Sequence, residues 1–357
     1  MKNNKKAVAI LVNDVHLNKE NGDLIKSIFA QLIQLCRATK VSEIWCGGDV
    51  FTNRSGQPLS CLTDWKEILN DIQEARLQLY VTPGNHDKTD QDDERSYLDV
   101  YSEPCIHLYR SGGVHIVNRG FVAAFVPYFS DEKWLQEYHK VEDDIIDLQR
   151  EGDIDDDIVK VLITHSGFEG VVNNDGSVVS SSIKPSMFHD WNNVLIGHYH
   201  NASQLADNVI YTGSAYQNNY GENITDKGFT IVYDDGSISF VPSKFPKYIK
   251  EIVDIDDKES LRNILEKYEG QKDDHVRIIF RGKKVDAKKV NMAELNKLGF
   301  DCKYESIEEV EAIETSESDA VMCFDKKTIM KDFVKFCAEQ SIKGDHLKFG
   351  MKLIKNI

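Results

Sequence analysis

The sequence predicts an α/β fold, a β-sandwich flanked by helices, with a small C-terminal α+β domain and a helical tail. Three observations predict it. Short, β-rich apolar runs alternate with amphipathic stretches of helical period as far as Ile196, the pattern of strands and helices that pack in layers. Near Val209 the alternation gives way to consecutive strand-like runs, and beyond Lys247 it resumes with shorter, more polar elements.

Ala7–Val12 reads as a buried strand, a continuous apolar run closed by Asn13 and Asp14. Residues 23–37 place Ile25, Ile28, Phe29, Leu32 and Cys36 on one face of a helix. A strand over 41–46, a helix over 62–75 and a strand over 77–82 continue the series, with further strands at 159–164 and 194–196. Between Gly228 and Val241, Asp235-Gly236 separates two strand-like halves, which signals a hairpin. A helix over 258–268, a strand over 275–280 and a helix over 292–298 form the second alternation. The domains expected are therefore 1–246 and a smaller one at 247–304, then an acidic linker at 305–324 and a helical tail at 325–357.

With 357 residues and 41% hydrophobic content the chain can bury a large core. Its net charge of −16 repels polyanions, so any nucleic acid has to be held locally or by a partner. The acidic runs at 142–144 and 153–157 read as a solvated helix face and loop. The first apolar run is too short for a signal peptide and no run is long enough for a membrane span. Seven cysteines without a CxxC pair suggest reduced thiols, and hence a cytoplasmic protein.

The chemistry collects at strand ends. Asp14-Val15-His16 follows the first strand, Gly47-Gly48-Asp49 the second, Gly84-Asn85-His86-Asp87 the third, Thr164-His165 the fourth and Gly197-His198-Tyr199-His200 the fifth. Functional groups in α/β sheets gather at the carboxyl ends of strands. Each cluster alone reads equally well as a turn, a surface pair or a satisfied core histidine. Together they supply carboxylate, imidazole and amide ligands for two divalent metals.

In this order, over roughly the first 240 residues, these segments resemble the signature of the calcineurin-like metallophosphoesterases. The resemblance implies Asp14, His16, Asp49 and His200 around one metal, and Asn85, His165, His198 and the shared Asp49 around the other; in the nuclease branch of the family it implies Mn²⁺ for both. It implies metal-assisted phosphoester hydrolysis, with His86 at the scissile phosphate and Asp87 orienting its ring. The two imidazoles of 197–200 would then serve different metals.

Finer segments resemble the SbcD-type and phage recombination nuclease subunits: Gly48-Asp-Val-Phe-x-x-Arg54, Phe125-Val-Pro-Tyr128, and Val209-Ile-Tyr-Thr-Gly-Ser214 followed by Asp226-Lys-Gly-Phe229. Ala215 stands where proline is common in that group. Thr52 stands where the cellular repair nucleases carry a histidine tied to exonuclease activity, which brings the chain nearer the phage group and leaves its balance of exonuclease and endonuclease action open. The resemblance implies DNA as substrate, an SMC-like coiled-coil ATPase as partner, a homodimer as one assembly, and a bacterial or phage-infected cell as setting. Arg54 with Arg277, Arg281, Lys283, Lys284, Lys288 and Lys289 are the candidate DNA contacts, although a solvated surface explains the last six nearly as well. In the tail, Ile329, Phe333 and Phe336 form an apolar stripe over 326–339 that either docks the ATPase or packs on its own domain. The alternatives are a stand-alone phosphoesterase acting on nucleotides or other small phosphoesters, and a binding scaffold with lost catalysis.

Overall fold

A computed structural model describes residues 5–173, 177–222, 226–269, 273–283 and 290–306, which lie within Met1–Ile307, the first of two units into which the chain divides. Lys284, Lys288, Lys289, most of the linker and the tail with Ile329, Phe333 and Phe336 fall outside the described residues.

Four parallel strands come first: β1 (Ala7–Val12), β2 (Glu43–Cys46) after helix α1 (Gly22–Thr39), β3 (Gln78–Val81) after α2 (Leu59–Glu74), and the short β4 (Ile106–Leu108). The chain then builds a second sheet from β5 (Gly113–Asn118), β6 (Phe121–Val126), β7 (Val159–His165), β8 (Asn193–Gly197), β9 (Ser203–Ala206) and β10 (Val209–Tyr211), with α3 (Asp131–Glu151) between β6 and β7. Its centre, β6 to β8 with β10, is parallel. β11 (Gly228–Tyr233) returns antiparallel beside β1, and β12 (Ile238–Pro242) completes the hairpin. Gly236, with φ of 78°, takes the left-handed turn position.

Period-two alternation explains the layering. On β1, Ile10 and Val12 face Phe29, Leu32, Trp65 and Ile68 of the two helices, while Ala9 and Leu11 face Phe125, Ile163 and Leu195 of the second sheet. The other face of that sheet packs Ala124, Leu162 and Ile196 against Trp134, Tyr138 and Val141 of α3. Central strands thus have two dry faces, which is why they read as continuous apolar runs.

The described residues between 248 and 306 form a third parallel sheet of β13 (Tyr248–Asp254), β14 (His275–Gly282) and β15 (Asp301–Ser306), with α4 (Lys258–Lys267) and α5 (Met292–Lys297) in the connections. Its core is small, centred on Val253, Ile278, Phe280 and Leu295. The outer strands are half polar, so neither stood out in the sequence. No helix among the described residues is long and apolar enough to cross a membrane.

Candidate dinuclear metal centre

All five strand-end clusters lie at the carboxyl ends of parallel strands, three in the first sheet and two in the second. A short backbone ladder locks the first two loops together, with His16 N donating to Asp49 O at 2.9 Å and Leu17 N to Val50 O at 2.8 Å. Asn13 accepts from Gly47 N at 2.7 Å and donates to Thr212 Oγ1 at 2.8 Å, tying the sheets together beside the site. The glycines are there for closeness: a Cβ on Gly48, whose φ is +102°, would lie 2.7 Å from Gly84 Cα.

The local backbone is strained. Among the described residues the only non-glycine positions with positive φ are Asp14, His16, Lys40, Asp49, Arg76 and His198. Four of these are expected metal ligands. Such conformations cost on the order of 1–3 kcal/mol each and persist only where the surroundings over-determine them.

The ligand atoms of Asp14, His16 and His200 lie within 4.8 Å of one another, and so do those of Asp49, His165 and His198. Asp49 sits between the groups, its Oδ2 3.5 Å from His16 Nε2 and 3.4 Å from His165 Nε2. Its Oδ1 accepts from His86 N at 2.8 Å. Asn85 Oδ1 is 2.9 Å from both His165 Nε2 and His198 Nδ1, which adds it to the second group. Turned over, the same amide would donate to both rings and accept from Arg54.

Cation fit can be judged from the donors. Asp14 is fully buried, yet its Oδ2 has no hydrogen-bond partner, an arrangement that costs free energy unless something positive meets it. His165 Nδ1 is fixed by Gly47 O at 2.8 Å and His200 Nδ1 by Glu222 Oε1 at 2.7 Å, which turns each Nε2 lone pair inward. Burial holds His16 down at about 4 and His198 at about 3, so both rings are neutral ligands at physiological pH. Burial also disfavours charge on His165, but the Asp49 carboxylate outweighs it and carries that ring up to about 9. A cation there would replace a proton. The donor set fits two divalent ions.

The sequence profile of the family described as "Calcineurin-like phosphoesterase" matches residues 8–202. The chain belongs to this family. Its members are phosphoester hydrolases with a dinuclear divalent metal centre, and this chain carries two candidate metal-binding groups. The chain is also similar to "Putative phosphoesterase 078R" of Invertebrate iridescent virus 3, at 22% identity over 256 residues, 70% of this chain and 69% of the viral one. A solved structure titled as a nuclease, MPE of Pseudomonas putida, aligns over 65% of this chain and 87% of its own at 13% identity with a TM-score of 0.28. A score that low carries no inference about substrate.

Other residues of this phosphoesterase depart from expectation. Asp87 does not orient His86. Its fully buried carboxylate accepts from Phe51 N at 3.0 Å and Gly84 N at 2.8 Å, closing the turn that presents Asn85. The His86 ring is held instead through Nδ1 by the carbonyl of Thr52, edge-on to His16 at 5.0 Å. Arg277 and Arg281, expected to meet phosphate, pair with Asp301 at 2.7 Å and Glu305 at 3.0 Å, because the β14–β15 register sets each beside its acid. Arg277 also lies over the Tyr220 ring at 3.8 Å. Arg54 is exposed near the centre. Tyr128, read in the sequence only as part of the nuclease-like segment, stacks on His198 at 5.9 Å, and one contributor went unread: Glu222, a lone acid between two recognisable blocks.

Proposed function

We propose that this phosphoesterase cleaves phosphodiester bonds of DNA at a dinuclear Mn²⁺ centre, as the nuclease subunit of a recombination or repair complex with an SMC-like ATPase. The carrying observation is that two complete ligand groups meet at one carboxylate, Asp49, with a half-buried histidine beside them. When bound, two divalent cations supply Lewis-acid polarisation of a phosphoryl oxygen and a water of lowered pKa. The chain's own residues do the rest. Asp49 holds the halves in register, and Gly47 O and Glu222 orient His165 and His200. With Nδ1–H of His86 donated to Thr52 O, Nε2 is the nitrogen left to face the phosphate; in the imidazolium form it donates to a phosphoryl oxygen or passes that proton to the leaving oxygen, returning to the neutral ring. Exposed Arg54 suits a phosphate flanking the scissile one. The choice of DNA rests on the segments around Arg54, Tyr128 and Phe229.

One observation favours a second reading, turnover of small phosphodiesters or nucleotides. The net charge is −16 and both described arginines of β14 are engaged by acids. Mn²⁺-dependent digestion of linear duplex DNA, measured beside hydrolysis of bis-p-nitrophenyl phosphate, separates the two. Turnover of the small diester with no DNA product, even with an ATPase partner added, defeats the nuclease reading. Truncation after Asp319 tests the partner: small-diester turnover should persist while ATPase association in a pull-down is lost.

A further inference from the structure

We propose that Glu222 is a positioning residue that sets the affinity of one half of the centre, the Asp14–His16–His200 half, by backing His200 with a buried carboxylate. The proposal rests on the dinuclear reading above. Glu222 is 2% exposed, and Oε1 lies 2.7 Å from His200 Nδ1. Two further donors reach it locally, Oε2 accepting from Asn218 N at 3.0 Å and Oε1 from Asn219 Nδ2 at 2.8 Å. Lys227, 3% exposed, stands 3.9 Å from Oε2 and donates to the carbonyl of His200 and to Asn201 Oδ1. A buried ion pair therefore grips His200 at both ring and backbone.

Packing alone gives little reason for this arrangement, since a buried ion pair is often no better for stability than apolar residues of similar volume. Metal ligation gives a specific one. A carboxylate behind an imidazole fixes the tautomer and raises the basicity of the inward nitrogen. His200 Nε2 points inward, 2.9 Å from His16 Nε2. In the other half the corresponding partner is a neutral carbonyl, Gly47 O, on His165. His200 and His165 thus differ in the charge behind their rings, and Glu222 makes that difference.

The test is a Mn²⁺ titration of the metal-free full chain, with unbound Mn²⁺ counted by EPR. Wild type should take up two ions. In Glu222→Ala one ion should bind about 10–100-fold more weakly and the other as before. Glu222→Gln, which keeps an acceptor oxygen and loses the charge, should fall between. The Mn²⁺ concentration for half-maximal hydrolysis of bis-p-nitrophenyl phosphate should rise by the same factor. Unshifted isotherms in folded variants overturn the proposal, as does a lower kcat with an unchanged Mn²⁺ dependence. Failure of both variants to fold makes Glu222 a structural residue and also overturns it. A wild-type chain that binds fewer than two ions would instead defeat the dinuclear reading itself.

Discussion

In the double sheet, β6 is buried at all six positions, whereas in the third sheet β13 buries one of seven. Both regions contain parallel strands joined by crossover helices. They differ in how many dry faces the strands have. Helices cover both outer faces of the sandwich and its two sheets cover each other, while the residues at 248–306 share one small core. The positive-φ residues that carry ligands, Asp14, His16, Asp49 and His198, all belong to the sandwich. Strained backbone and partnerless buried oxygen persist where rigid packing on every side holds them, and a small core lacks that surplus.

Substitutions in the two regions should have unequal effects. The largest effect is expected from Asp49→Ala, because one carboxylate touches both ligand groups: both metals should be lost by ICP-MS, with activity down on the order of 10³-fold or more. Retention of two ions would show that the halves are independent. Next is His86→Ala, for which about 10²–10⁴-fold lower kcat is expected with the metal content intact. Loss of metal there would move His86 into the ligand set.

In the small core, Phe280→Ala should cost about 3–5 kcal/mol of local stability, read by hydrogen exchange of β14. Mn²⁺ uptake and small-diester turnover should stay within twofold. Collapse of either would mean that the third sheet supports the centre. The smallest effect is a gain. Asp14→Asn removes a buried, partly unsatisfied carboxylate at a left-handed position that asparagine tolerates. The metal-free protein should become more stable by about 1–2 kcal/mol in urea, and metal uptake should fall. A destabilised variant would show that Asp14 already has its counter-charge without metal.

The sandwich was legible because its signals are local. β1 was read to the residue and α1 and α2 within three at either end, as was α4 of the third sheet, since period and composition act over a few residues. Five strand ends carrying seven ligand-type side chains were legible for the same reason. β13 and β15 were not, since half-polar strands become strands only through their neighbours in the sheet.

The sequence by itself determined the alternating layers, the family and the set of side chains available for two cations. Only the tertiary structure decided how those side chains are used. Asp87 lies next to His86 in the chain but is turned onto Phe51 N and Gly84 N, leaving His86 to a carbonyl 34 residues away. Glu222 reaches His200 across a loop that no local pattern marks, and sheet register gave Arg277 to Asp301. The physical reason is range: backbone preference and hydrophobic period act between near neighbours, whereas the partner of a buried polar group is whichever group packing brings within hydrogen-bond reach.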